Sequence, residues 1–134
     1  MHRTFASMRK QHRIVIGVRR GIVFVPDECA DVRLNPMEIT IYRLFLAHPE
    51  GIPAGSLIDH WEELRTVYEH ESKYDSKQLM DSVIDSICAE SKTVFYSNIS
   101  RIKKKFVDVL GRRKASPYII KREKDGLYRI RARV

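Results

Sequence analysis

The chain has 134 residues, a formal net charge of +8 and 43% hydrophobic residues. That is enough for one domain with its own core, too apolar for a disordered tail, and too short for two comfortable domains. No apolar run approaches the roughly 20 residues that a membrane helix needs, and two cysteines, Cys29 and Cys88, are too few for a disulfide framework; a reducing, cytoplasmic setting is expected.

In chain order, residues 1–12 are basic and free of acids, and read as a flexible arm ahead of a single domain over 13–134. Residues 13–18 (RIVIGV) and 21–25 (GIVFV) are short and β-branched, with Arg19, Arg20 and Gly21 between them, which predicts a hairpin. Pro26-Asp27-Glu28 ends the second strand, and a weaker strand is expected over 31–34. Asn35, Pro36 and Glu38 form a cap, a first-turn proline and a capping-box acid, opening a helix whose Met37, Ile41, Leu44 and Phe45 share a face. His48-Pro49-Glu50-Gly51 stops it. Leu57, Trp61, Leu64 and Tyr68 predict a second helix over about 54–70; Leu79, Val83, Ile84 and Ile87 a third over roughly 76–89, with Cys88 a small core residue.

Phe95, Ile99, Ile102, Phe106 and Leu110 step by four, three, four and four, which predicts a fourth helix over about 93–110. With those residues facing the core, the opposite face carries Ser97, Ser100, Arg101 and Lys104, flanked by Tyr96 and Lys103 on one side and by Asn98 and Lys105 on the other. Beyond it, YIIKR and LYRIRARV flank Glu123-Lys124-Asp125-Gly126, a β-hairpin with a charged tip.

Charge is segregated along this layout. Residues 1–20 hold six Lys/Arg and no acid; residues 21–100 hold six against fourteen acids; residues 101–134 hold thirteen against three. A basic C-terminal third with a cationic helix is the footprint of a polyanion-binding surface. A helix of this width fits the DNA major groove, where Arg reads guanine and Asn reads adenine, while Lys and Ser more often hold phosphates.

Three stretches, LNPMEITIYRLFLAHPEGI, SNISRIKKKF and YIIKREKDGLYRI, resemble the winged-helix effector domain of bacterial two-component response regulators. Ile99-Ser100-Arg101-Ile102-Lys103-Lys104-Lys105-Phe106 is similar to that family's recognition-helix run, and Gly126-Leu127-Tyr128-Arg129-Ile130 to the close of its wing, with one residue inserted. The resemblance implies an α+β winged helix-turn-helix: an N-terminal hairpin, four helices and a C-terminal wing over 118–130. One helix, 76–89, is inserted where the family has a loop. A looser likeness is to small Bacteroides-type proteins sharing the His-Pro-Glu-Gly-Ile turn.

Together these readings give a double-stranded DNA-binding protein, a transcriptional regulator without catalysis. The expected contacts are Tyr96, Ser97, Asn98, Ser100, Arg101, Lys103, Lys104 and Lys105 on the helix, Lys121, Arg122 and Lys124 on the wing, and Arg19 and Arg20 on the N-terminal hairpin. Base reading falls to Asn98, Arg101 and Ser97. The alternative is a protein–protein interaction module whose acidic segment docks a basic partner or a second copy of the chain, as a homodimer. No nucleotide-cradling glycine loop or nucleophile elbow is present, so neither enzyme nor cofactor is expected. Of the five histidines none pairs with another at ligand spacing, so no metal site is expected; His60 and Glu63 share a helix face, with Glu63 read as a solvated acid.

Overall fold

A computed structural model describes residues 11–73 and 75–134. The expected basic arm therefore lies outside the described residues except for Gln11 and His12. The fold is α+β, and the described residues form five helices and two small antiparallel sheets.

The N-terminal sheet has β1 (Val15–Ile16), β2 (Ile22–Val25) and β3 (Ala30–Arg33) in sequential order. Val23, Val25 and Val32 are fully buried, so one side of this sheet is core, as the β-branched pattern predicts. The weak third strand is real because its whole length pairs with β2, from Ile22 opposite Arg33 to Val25 opposite Ala30.

Helix α1 (Pro36–Ala47) begins as the sequence requires. The Asn35 side chain accepts from the Glu38 N–H at 2.8 Å, and the Glu38 carboxylate accepts from the Asn35 N–H at 2.9 Å. The helix is buried on most of its circumference: Glu38, Ile39, Thr40, Ile41, Tyr42, Leu44 and Phe45 are all inside. It forms the axis on which α2, α4 and β5 pack.

The second predicted helix is in two parts, a 3-10 segment over Ala54–His60 and then α2 (Trp61–Glu71). Helix α3 (Lys77–Cys88) is capped by Ser76, whose hydroxyl accepts from the Leu79 N–H. Its buried stripe is Met80, Ile84, Ile87 and Cys88, so Leu79, expected inside, is exposed. Helix α4 (Thr93–Leu110) has the predicted bounds. Gly111 ends it, and a short α5 (Arg112–Ala115) follows, which the sequence reading does not contain. Four residues with only Ala115 buried show no periodicity to find.

The C-terminal hairpin joins β4 (Lys121–Arg122) to β5 (Tyr128–Arg129) through a turn in which Gly126 takes a φ of +86°. Its base is fixed from outside. Ile52 pairs with Tyr128 through two main-chain hydrogen bonds of 2.9 Å, adding a third chain to the hairpin just after α1. Gly51 makes this approach possible: its φ is +97°, and a Cβ there would lie 2.9 Å from Leu127 Cβ. No helix among the described residues is long and apolar enough to cross a membrane.

Replacing Gly51 by Ala combines a left-handed backbone with this clash. A loss of more than about 1 kcal/mol is expected; denaturant unfolding measures it, and an unchanged midpoint would contradict the described corner.

Candidate nucleic-acid interface

Helix α4 is held by its apolar stripe. Phe95, Ile102 and Phe106 are fully buried. Phe95 stacks on Phe45 at 5.9 Å between centroids, and Phe106 stacks on Tyr42 at 5.3 Å and on Tyr118 at 6.3 Å. The Tyr42 hydroxyl donates to the Tyr118 carbonyl at 2.6 Å, and burial pushes its phenol well above the ordinary range. With that side fixed, the helical period turns Thr93, Ser97, Ser100, Arg101 and Lys104 outward. Ser100, Arg101, Lys103 and Lys104 are exposed, as is Tyr96, and Ser97 is half-buried. Tyr96, Ser97, Ser100 and Arg101, with Thr93, line a shallow concavity on this side.

Two of the expected contacts need correction. Asn98 is 1% exposed. Its amide nitrogen donates to the Val94 carbonyl at 2.8 Å and reaches the Met37 sulfur at 3.1 Å. The core stripe runs through Phe95, Asn98, Ile102 and Phe106, while Ile99 is only partly buried. A stripe of Phe95, Ile99 and Ile102 drawn from hydropathy alone is thus rotated by part of a turn, and it puts a polar core residue on the surface. Lys105 is turned inward, where its ammonium pairs with the fully buried Glu38 carboxylate. That carboxylate already caps α1, so Lys105 ties α4 to the start of α1.

The other cations divide by partner. Arg101, Lys103, Arg122 and Lys124 form no ion pair among the described residues and are exposed. Lys104 pairs with Asp108 one turn on, at 2.8 Å, both side chains more than half exposed. Such a pair is worth little and yields readily to a phosphate. Lys121 donates to Ser116, Arg19 pairs with Asp31 at 3.1 Å, and Arg20 donates to the His70 carbonyl at 3.2 Å. Arg20 lines a cleft with Lys105, Asp108 and Val109, beside the C-terminal half of α4. Arg112 and Arg113 of α5 are further exposed cations; only the charge run itself signals them.

The hairpin meets the other half of α4. Tyr128 packs edge-on against Phe95 at 5.4 Å and lies 6.4 Å from Tyr96. Burial, with a hydrogen bond to the Tyr96 hydroxyl, pushes the Tyr128 phenol up. Arg129 braces the tip: it donates to Glu123 at 2.7 Å, to Asp125 at 2.9 Å and to the Glu50 carbonyl at 2.8 Å. These bonds hold the Glu123 and Asp125 carboxyls below the usual range.

Three acids of α2 and α3 are taken up away from α4. Asp81 of α3 takes Arg65 of α2 at 2.6 Å, Asp85 takes the Trp61 indole N–H at 2.8 Å, and Glu71 takes Arg43 at 2.8 Å. None of these reaches the outward side of α4.

Removing the Lys105 ammonium leaves a buried carboxylate short of a partner. Lys105→Ala is expected to cost about 1–3 kcal/mol of stability, and Lys104→Ala less than about 0.5 kcal/mol; urea unfolding of the two separates them, and equal costs would contradict the assignment. The hairpin carboxylates carry a pH dependence. Because their folded values are lowered, their stabilisation is complete above the unfolded values near 4 and is lost as pH falls through the folded ones, so hairpin amides should lose hydrogen-exchange protection below about pH 4. Arg129→Ala should remove most of that dependence, Arg131 alone then holding Glu123.

No family model, no curated protein and no solved structure matches this chain, so the reading of this surface rests on its geometry and charge.

Proposed function

We propose that the chain is a winged-helix protein that binds double-stranded DNA in sequence-specific fashion, with α4 in the major groove and the β4–β5 hairpin as the wing on adjacent backbone or minor groove. The observation that carries this reading is the outward side of α4. It presents Ser97, Ser100, Arg101, Lys103 and Lys104 as one strip, with Arg101 and Lys103 unpaired among the described residues and Tyr96 joining the strip to the hairpin. Hydroxyls and long cations on the outer side of a helix suit phosphates and base edges together. Arg122 and Lys124, without ion pairs among the described residues, extend the positive charge along the wing. The order of elements supports the winged-helix reading as well: Ile52, just after α1, pairs with the wing strand. The inserted α3 packs between α2 and α4 and takes the place of a simple turn. The role proposed is regulation of transcription, without catalysis.

In this reading Arg101 reads a base and Lys104 holds a phosphate. Asn98 supports the helix from inside.

Selection of bound duplexes from a random pool tests binding and specificity at once. Arg101→Ala should relax preference at one position, at a cost of about 1–3 kcal/mol. Lys104→Ala should weaken binding evenly across sequences and make the slope of log affinity against log salt shallower by about one. Absence of any duplex affinity at low salt would overturn the proposal, and unchanged sequence preference in Arg101→Ala would remove that residue from base reading.

A further inference from the structure

The corner between α1 and α2 holds two histidines that lie twelve positions apart in the sequence. His48 is the residue at which α1 ends. His60 and Glu63 sit one turn apart at the start of α2 and share a face. The Pro49-Glu50-Gly51 turn brings the two ends together. His48 and His60 rings are 4.6 Å apart between centroids, at 66°. The His48 Nε2 lies 2.9 Å and 3.1 Å from the two Glu63 oxygens, and the His60 Nδ1 lies 3.5 Å from one of them. On its far side, the His48 Nδ1 is 3.0 Å from the Glu50 carboxylate. One donor atom from each of His48, His60 and Glu63 falls within 4.8 Å of the other two.

These separations are those of a ligand set. Four-coordinate zinc with bonds near 2.0–2.1 Å spaces its ligand atoms by about 3.4 Å. Two of the separations here, 2.9 Å and 3.5 Å, bracket that spacing, and the third lies within 4.8 Å. Two imidazoles and one carboxylate suit zinc and its first-row neighbours, and magnesium and calcium poorly, since those prefer oxygen throughout. The outer contact is also in place. A metal-bound histidine commonly donates its second N–H to a carboxylate, and Glu50 stands at the His48 Nδ1.

We propose that this corner is a binding site for a divalent transition-metal ion of the zinc class, held by His48 Nε2, His60 Nδ1 and the Glu63 carboxylate. Glu50 accepts from the His48 Nδ1–H, and water completes the coordination. On binding, the ion replaces the proton between His48 Nε2 and Glu63, and that proton leaves to solvent. The site joins the end of α1 to the start of α2 across the turn that carries Ile52. Through the Ile52–Tyr128 pair and the Arg129–Glu50 carbonyl bond, the same turn seats the hairpin. An ion here therefore fixes the base of the hairpin, whatever the hairpin contacts. The rival account is a metal-free brace in which His48 simply bridges Glu50 and Glu63.

Isothermal titration of chelator-stripped full-length protein with ZnCl₂ decides between them. One saturable site of micromolar or better affinity is expected, with no heat from MgCl₂. His60→Ala and Glu63→Gln should each weaken it by at least about tenfold, and Glu50→Gln by about tenfold. His70→Ala removes an exposed histidine outside the corner and should leave binding unchanged. Circular dichroism in chelator confirms that each variant is folded; if His60→Ala is not, Glu63→Gln decides. Hydrogen exchange at Ile52 and Tyr128 should slow on adding zinc. No saturable binding at millimolar zinc, or binding that persists in Glu63→Gln, or that is lost equally in His70→Ala, overturns the proposal in favour of the brace.

Discussion

The seating of α4 on α1 governs the rest of the molecule. Phe95 and Phe106 enter a nest of aromatic rings built by Tyr42, Phe45 and Tyr118, with Ile102 between them. Burying each of these side chains contributes about 1.5–3 kcal/mol. The seat is also polar at two points. Glu38 caps α1 and receives Lys105 of α4, and the Tyr42 hydroxyl bonds the main chain at Tyr118, just ahead of the hairpin. Tyr42 therefore touches α4 and the approach to the hairpin at once. With the inner side set by packing, an α-helix has no freedom left in what it shows outward, and the strip from Ser97 to Lys104 follows from geometry.

Charge segregation along the sequence does not by itself give charge segregation in space, since acids of one segment could have folded onto cations of another. Some do, as Glu38 with Lys105 and Glu28 with Lys114, but the acids of α3 are taken locally. Its Asp81 and Asp85 point to α2 and are taken by Arg65 and Trp61, while Glu71 takes Arg43 of α1. Those three acids are thus taken by side chains of α1 and α2, and among the described residues the outward cations of α4 pair with one acid, Asp108 of their own helix.

Helix positions were legible in the sequence because their signals are local. The Asn35 cap with Glu38 three residues on and the four-three-four spacing from Phe95 each act within a turn or two. Individual site residues were less so, for two physical reasons. Hydropathy treats Asn98 as surface, yet its amide is buried, the nitrogen donating to the Val94 carbonyl and reaching the Met37 sulfur while the oxygen has no partner among the described residues. Lys105 reads as one more cation in a basic run, and only the long-range placement of a buried carboxylate tells it from Lys104. The same limit hid the histidine corner. His60 and Glu63 are a turn apart and visible together, whereas His48 joins them through the path of the chain around Gly51, which spacing rules for metal ligands do not contain.

The hairpin sorts its own charges by a related logic. It carries two acids at its tip, which would oppose any anionic partner if left in solvent. Arg129 takes both and also bonds the Glu50 carbonyl, and Arg131 adds a second contact to Glu123. The acids are thereby turned into the scaffold that holds the tip against the α1–α2 corner. Arg122 and Lys124, outside this network, remain as the displayed charge. Arg129 is thus the brace of the hairpin, and the hairpin's net sign toward solvent is set by which cations the brace leaves over. Beside the Ile52–Tyr128 pair at its base, Arg129 contributes to both the rigidity and the polarity of this element, so a change there alters both together.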